Sequence, residues 1–376
     1  MIVSSQKIAT PQGGETVRLL EPILLDSGAS LNDVDVAYTC YGRLNAARDN
    51  AILVCHALTG DHFMAETHPI SGKAGWWENI VGSGKPLDTD HYAVVCVNVL
   101  GSCLGSTGPA SINPATDAPY GLDFPLITIS DMVKAQHALM QVLDIPCWHA
   151  VVGGSMGALQ VLAWATHYPD KLRAAVPIAG AVRHSAQNIA FHEVGRQAVM
   201  ADPNWHNGQY HAHETQPERG LAVARMAAHV TYLSEERLHE KFGRHLQDRD
   251  NLTYGFDADF RVESYLRYQG KSFVQRFDAN AYLYLTRAMD YFDLEAEFGS
   301  LDQAFAGKDI KYCVIAFSSD WLFPPSESRV LVKGLNRVGA SVSFSTLETN
   351  FGHDAFLLDL PPFAEMLRGF IAGIRS

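Results

Sequence analysis

Ala150-Val-Val-Gly-Gly-Ser-Met-Gly157 is an apolar run that ends in a glycine pair, then a serine, then, two residues on, another glycine. Residues 158–165 follow at once in a helix-forming pattern. A strand, a sharp turn and a helix in that order make a nucleophile elbow, which puts Ser155 at the tip of the turn. The flanking glycines permit a backbone that a Cβ would strain. The string G-x-S-x-G alone is a weak signal, because a glycine-rich strand-to-helix turn needs no chemistry. The strand before it and the helix after it make Ser155 a candidate nucleophile.

Working outward, apolar and β-branched runs recur at 34–41, 51–55, 92–99, 149–152, 174–178, 312–317 and 342–347. From the third run onward, helical patterns separate them. Strands alternating with helices predict an α/β fold with a mostly parallel sheet covered on both faces. The clearest helix spans 129–143 and opens on Thr128-Ile-Ser-Asp131, a capping-box pattern. Between about 183 and 298 the strand-like runs disappear, and helical patterns at 186–200, 220–233 and 280–291 take over. This reads as a helical insertion, 183–300, in a core made of 1–182 and 301–376. Residues 202–219, rich in Asn, His, Gln and Pro, read as a loop within it.

Composition bounds the function. The 376 residues are 47% hydrophobic and 19% charged, which suits a globular core. A net charge of −12 disfavours a nucleic-acid partner, since phosphate neutralisation needs a basic face. The six cysteines form no C-x-x-C pair, and Cys55, Cys96 and Cys313 fall in strand-like runs. They read as reduced packing residues of a cytoplasmic protein. No stretch is long and apolar enough to span a bilayer.

A serine nucleophile needs a base, and the base needs an orienting acid. On a sheet-based scaffold these follow in the order Ser, Asp/Glu, His, on loops after later strands. The run 312–317 ends in Ser-Ser-Asp320, and the run 342–347 is followed by Glu348-Thr-Asn-Phe-Gly-His353. Asp320 and His353 thus complete a candidate triad, against the plainer readings of a turn aspartate and one of 16 histidines. The oxyanion hole calls for the backbone N–H of Met156 and one from the loop after an early strand. His56-Ala-Leu-Thr-Gly60 fits that loop, and Leu58 is the expected donor.

With these residues placed, the chain resembles the homoserine O-acyltransferase family of the α/β-hydrolase superfamily, most of all its acetyltransferase branch. The resemblance covers nearly the whole chain. Its markers are Cys55-His-Ala-Leu-Thr-Gly60, Gly105-Ser-Thr-Gly-Pro-Ala-Ser111, Gly153-Gly-Ser-Met-Gly157, Gln187-Asn-Ile-Ala-Phe191, Glu263-Ser-Tyr-Leu-Arg-Tyr-Gln-Gly270, Arg276-Phe-Asp-Ala-Asn280 and Gly352-His-Asp-Ala-Phe-Leu357. Ala158 departs from the family, which often has a second glycine there, and predicts only a packing change. The resemblance implies an α/β-hydrolase fold with a helical lid. It also implies ping-pong transfer of acetyl from acetyl-CoA, through acetyl-Ser155, to the hydroxyl of L-homoserine. No metal or bound cofactor is implied, acetyl-CoA being a co-substrate, and the family is typically a homodimer through the insertion.

Homoserine is a zwitterion, so its site needs both signs of charge. Arg225 lies in Gly220-Leu-Ala-Val-Ala-Arg-Met-Ala-Ala-His-Val230, which is apolar almost all round and so predicts a buried helix. A buried guanidinium must be paired. Either an internal carboxylate serves or, as the resemblance implies, the substrate carboxylate does. Asp354 reads as a helix N-cap from its surroundings, and as the ligand of the substrate ammonium from the resemblance. Succinyl-using relatives carry an arginine two residues after the triad aspartate; here that position is Leu322, which favours acetyl unless it is ordinary core. Homoserine O-succinyltransferase, serine O-acetyltransferase and serine esterase or thioesterase activities are the alternatives on the same scaffold. His211-Ala-His213 reads as a solvated pair and not a metal site. Trp76-Trp77 and the aromatic-rich 282–292 read as core or lid packing.

Overall fold

Four runs, Ala51–Cys55, Ala93–Val97, Ala150–Gly154 and Ala174–Ile178, are buried at every position. Strands buried on both faces must lie inside a sheet with cover on each side. The computed structural model, which describes residues 4–8 and 13–374, places them at the centre of a nine-stranded sheet. In chain order its strands are β1 (Ser5–Ile8), β2 (Glu15–Leu19), β3 (Val34–Tyr41), β4 (Ala51–Cys55), β5 (Ala93–Val97), β6 (Ala150–Gly154), β7 (Ala174–Ile178), β8 (Lys311–Phe317) and β9 (Ser341–Leu347). Their spatial order is β1-β2-β3-β5-β4-β6-β7-β8-β9. The first three enter through antiparallel pairings. From β5 to β9 every neighbour is parallel.

Successive residues of each central strand serve opposite cores. Leu53, Val151, Ala175 and Val314 face one, with α1 (Ile129–Val142), α2 (Met156–His167) and much of the insertion. Val54, Val152, Val176 and Ile315 face the other, with the C-terminal helix Pro361–Ala372. All seven strand-like runs of the sequence are strands, and Thr128 caps α1 in a capping box with Asp131. This is the α/β-hydrolase arrangement.

Between β7 and β8 the chain runs through α3 (Ala186–Met200), α4 (Glu218–Tyr232), α5 (Glu235–Phe242), α6 (Arg261–Val274) and α7 (Ala279–Asp290). Residues 202–219 form two 3₁₀ stretches, and bury Trp205 and Tyr210. A buried ion pair, Arg196–Asp290 at 2.7 Å, joins α3 to α7. Asp290 also takes His184 and His192 at 3.1 and 2.7 Å. Burial alone would raise the Asp290 pKa, yet the two imidazole hydrogen bonds and the Arg196 charge hold it below the usual carboxylate range.

One expectation fails here. Helix α4 is not buried all round: Val223 is 48% exposed and Val230 38%. Only one face of its apolar surface packs inward, so Arg225 is half-buried at the edge of a cavity.

Candidate active site

Ser155 sits between β6 and α2 with φ 58° and ψ −123°. A non-glycine residue held in such a region costs on the order of 1–3 kcal/mol and needs surroundings that enforce it. The Ser155 N–H donates to Ile178 O at 3.1 Å. Gly157, one residue into α2, lies so close to β4 that a Cβ would stand 2.1 Å from the Cys55 carbonyl oxygen. The elbow is therefore pressed, backbone to backbone, against the start of the loop that carries Leu58. Ala158 packs its methyl where a Cβ on Gly180 would stand, 2.4 Å away.

Asp320 follows β8 and is 2% exposed. Its Oδ1 accepts the N–H groups of Leu322 and Phe323, both at 2.9 Å. Its Oδ2 holds His353 Nδ1 at 2.7 Å. The Gly352 N–H donates to Ser319 Oγ at 2.9 Å, tying the histidine loop to the aspartate loop. Phe323 stacks on the His353 ring at 5.2 Å and Phe356 meets it edge-on at 5.7 Å. His353 Nε2 is buried and has no hydrogen-bond partner among the described residues, Ser155 Oγ included. Such bonds often close only with substrate in place. Burial pushes the His353 pKa down, but the Asp320 charge and hydrogen bond, with Asp354 behind them, outweigh it. The imidazole sits above its ordinary value.

The Leu58 and Met156 backbone N–H groups donate to no protein acceptor among the described residues. Met156 also opens α2, where the helix dipole favours negative charge. Asp354 lies inside the 3₁₀ turn Gly352–Leu357, whose preceding residue is Phe351. It is therefore not an N-cap. Burial pushes its carboxyl up to about 6, with Asp320 adding to the rise and the His353 and Arg225 charges opposing it. Leu322 packs its side chain partly buried against the main core.

A cavity of about 230 Å³ is lined by Thr59, Asp61, Lys73, Trp76, Arg225 and Arg276 among others, and Tyr232, whose ring is 6.2 Å from that of His353, separates Arg225 from the histidine. Arg225 Nη1 donates to Thr59 Oγ1 at 3.0 Å. Its guanidinium lies 4.8 Å from the Phe273 ring centre and 5.5 Å from that of Tyr232. It forms no ion pair among the described residues, so the internal carboxylate partner left open by the sequence is absent there.

Several contacts escaped the sequence reading. Arg276 Nη1 donates to Thr59 O at 2.9 Å. Trp321 Nε1 donates to Leu233 O at 2.9 Å, and Ser234 Oγ donates to Asn350 O. The junction of α4 and α5 is thereby tied to the loops that carry Asp320 and His353. The marker strings supplied the signal without the role. Gln187 Nε2 donates to Trp321 O and Phe191 packs on its ring. Asp278 caps α7, and Asn280 accepts from Trp205. His211 and His213 are exposed. His213 stacks on His206 at 4.0 Å, and His211 reaches Asp278 at 3.4 Å.

Comparison with known proteins bears on the chemistry. A family model described as alpha/beta hydrolase fold matches residues 50–360. The chain is 62% identical to a homoserine O-acetyltransferase of Bradyrhizobium diazoefficiens over 352 residues, 93% of this chain and 88% of that protein. It is 58% identical to one of Caulobacter vibrioides over 367 residues, 96% of each. Among solved structures it is similar to a homoserine O-acetyltransferase from Bacillus anthracis, with TM-score 0.88, 25% identity and coverage of 100% and 99%. It is also similar to esterase E22, with TM-score 0.85, 30% identity and coverage of 98% and 100%. One backbone thus carries both names, and the Bradyrhizobium and Caulobacter transferases, at 62% and 58% identity, are far nearer in sequence than esterase E22 at 30%. The chain belongs to the homoserine O-acetyltransferase family, on the α/β-hydrolase fold.

Proposed function

We infer that this chain moves an acetyl group from acetyl-CoA to the side-chain hydroxyl of L-homoserine, by way of acetyl-Ser155. The observation that carries the reading is an arginine, Arg225, left without a carboxylate partner and separated from the triad histidine by the Tyr232 ring, 5.5 Å from the one and 6.2 Å from the other. A hydrolase of simple esters has no use for it. An amino-acid acceptor does, because a guanidinium fork matches a carboxylate.

In the first half-reaction His353 Nε2 takes the Ser155 proton as Oγ attacks the thioester carbon. The oxyanion forms against the N–H groups of Leu58 and Met156, preorganised donors of the kind that contribute most to such steps. Collapse expels the CoA thiolate, which takes the proton from His353. In the second, His353 removes the proton from the homoserine hydroxyl, which attacks the acetyl carbon. Ser155 leaves and recovers the proton. Asp320 fixes the imidazole tautomer and stabilises the imidazolium in both. Arg225 binds the homoserine carboxylate and Asp354, when ionised, its ammonium. Every step is a proton transfer or acyl transfer, so none calls on a metal or bound cofactor. Leu322, packed partly buried against the main core, offers no cation to a succinyl carboxylate, which supports acetyl as donor.

The insertion, 183–300, acts as the lid over this site. Exposed Val194 on α3 and Val223 on α4 support a homodimer formed through it. All six cysteines are free, which supports a reducing, cytoplasmic setting. Among the described residues no helix is long and apolar enough to cross a membrane.

Three measurements check these readings. Thiol release from acetyl-CoA is expected to depend on homoserine and to exceed that with serine or with succinyl-CoA. Release at the same rate without any acceptor would make the protein a thioesterase, and a succinyl-CoA preference would remove the role given to Leu322. In pH profiles, kcat/KM for acetyl-CoA is expected to fall on the acid side with unit slope, as His353 protonates above the ordinary imidazole value of about 6.5. For homoserine the limb should steepen toward two as Asp354, near 6, also gains a proton. A unit slope for both substrates would show that Asp354 need not be charged. Light scattering is expected to give twice the chain mass, whereas a species at 41.3 kDa would rule out the dimer.

A further inference from the structure

Two lid arginines meet at one residue of the oxyanion loop. Arg225 holds the Thr59 side chain and Arg276 holds the Thr59 carbonyl, at 3.0 and 2.9 Å. Both guanidiniums lie over the Phe273 ring, 4.8 and 5.4 Å from its centre, and both line one cavity. Neither forms an ion pair among the described residues. Asp61, the carboxylate on that cavity's wall, is already engaged: Phe63 N–H reaches one oxygen at 2.8 Å and His68 Nε2 the other at 2.9 Å. Two like charges in one desolvated corner repel each other unless an anion joins them. Burial first, and the Arg225 charge next, hold Arg276 below the ordinary guanidinium value. An arginine has five N–H donors, and Thr59 takes one from each.

We propose that Arg276 is a second binding residue for the acceptor, completing with Arg225 a two-arginine pocket for the carboxylate of the amino acid. This rests on the acyl-transfer reading above. Thr59 directly follows Leu58, and Tyr232 lies 5.5 Å from Arg225 and 6.2 Å from the His353 ring, so a carboxylate held there directs the rest of the amino acid toward the histidine. It selects an anionic acceptor over water or a neutral alcohol, and it rewards a ligand bearing a single negative group.

The test separates this role from a structural one. The oxyanion loop serves both half-reactions, so a residue that merely props Thr59 would slow both. A carboxylate ligand affects only the second. In Arg276→Gln, compared with Arg276→Lys and the parent, acetyl-Ser155 formation is followed by intact mass after mixing with acetyl-CoA. Deacylation is then followed with L-homoserine and with L-homoserine amide, which lacks the charge. The expected result is a KM for homoserine raised at least about tenfold, the scale of a lost charged hydrogen bond. Acetylation should stay within about threefold of the parent on the same scale. The preference for homoserine over its amide should shrink by a similar factor, with partial recovery in Arg276→Lys. An equal slowing of both half-reactions, a rise confined to the acetyl-CoA KM, or an unchanged homoserine-to-amide ratio would each overturn the proposal. Failure of the transferase reading itself would appear separately, as a parent acetyl-enzyme that homoserine does not discharge.

Discussion

The first turn of α2 lies against the end of β4 with no space for a side chain between them. At Gly157 a Cβ would stand 2.1 Å from the Cys55 carbonyl oxygen and 3.3 Å from that of His56. This backbone contact is what the site depends on. It joins the turn that carries Ser155 to the loop that carries Leu58 and Thr59. It also lets a non-glycine residue persist at φ 58°, because packing on both sides leaves the turn nowhere to relax. The parallel strands supply the rest, since their carboxyl ends deliver Asp320 and His353 to the same edge of the sheet.

Around that junction the charges fall into two groups. Asp320 is fully engaged, with two backbone N–H groups on one oxygen and His353 on the other. It acts as a fixed negative charge that keeps the imidazole basic. Arg225, Arg276 and Asp354 are not engaged in this way. Keeping such groups without an oppositely charged partner costs stability, which a zwitterionic ligand would offset in the proposed reading. The insertion is tied down at the same place, since Trp321, Asn350 and the close approach of Gly352 to Ser234 fasten the junction of α4 and α5 to the loops that carry Asp320 and His353. Ser155 is 7% exposed and His353 2%, so the candidate triad already lies away from bulk water.

Much of this was legible in the chain. The strand-like runs read as strands because they are apolar or β-branched, and the four central ones need cover on both faces. The elbow and the two loop residues then followed from spacing and order. The first two strands did not, because Ser5–Ile8 at the sheet edge is almost wholly exposed and Glu15–Leu19 alternates polar and apolar residues over a single short run. Helix α6 was missed for a related reason, since just Gly270 and Phe273 of it are buried. The expectation of a buried α4 failed because alanine and valine fill a helix without dictating which face packs. Thr59 and Arg276 lie 217 positions apart, and neither carries a local signal of the other. Their meeting is a product of the lid's placement, which periodicity cannot report.

The central claim is that the acetyl group on Ser155 is kept for an amino acid and not surrendered to water. Its most direct test is the lifetime of the acetyl-enzyme, formed with acetyl-CoA, freed of excess donor and followed by intact mass. The adduct should map to Ser155, persist in buffer, and discharge at least about a hundredfold faster with L-homoserine, a preference worth about 2.7 kcal/mol. Decay in buffer as fast as with homoserine, or an adduct on another residue, would contradict the account.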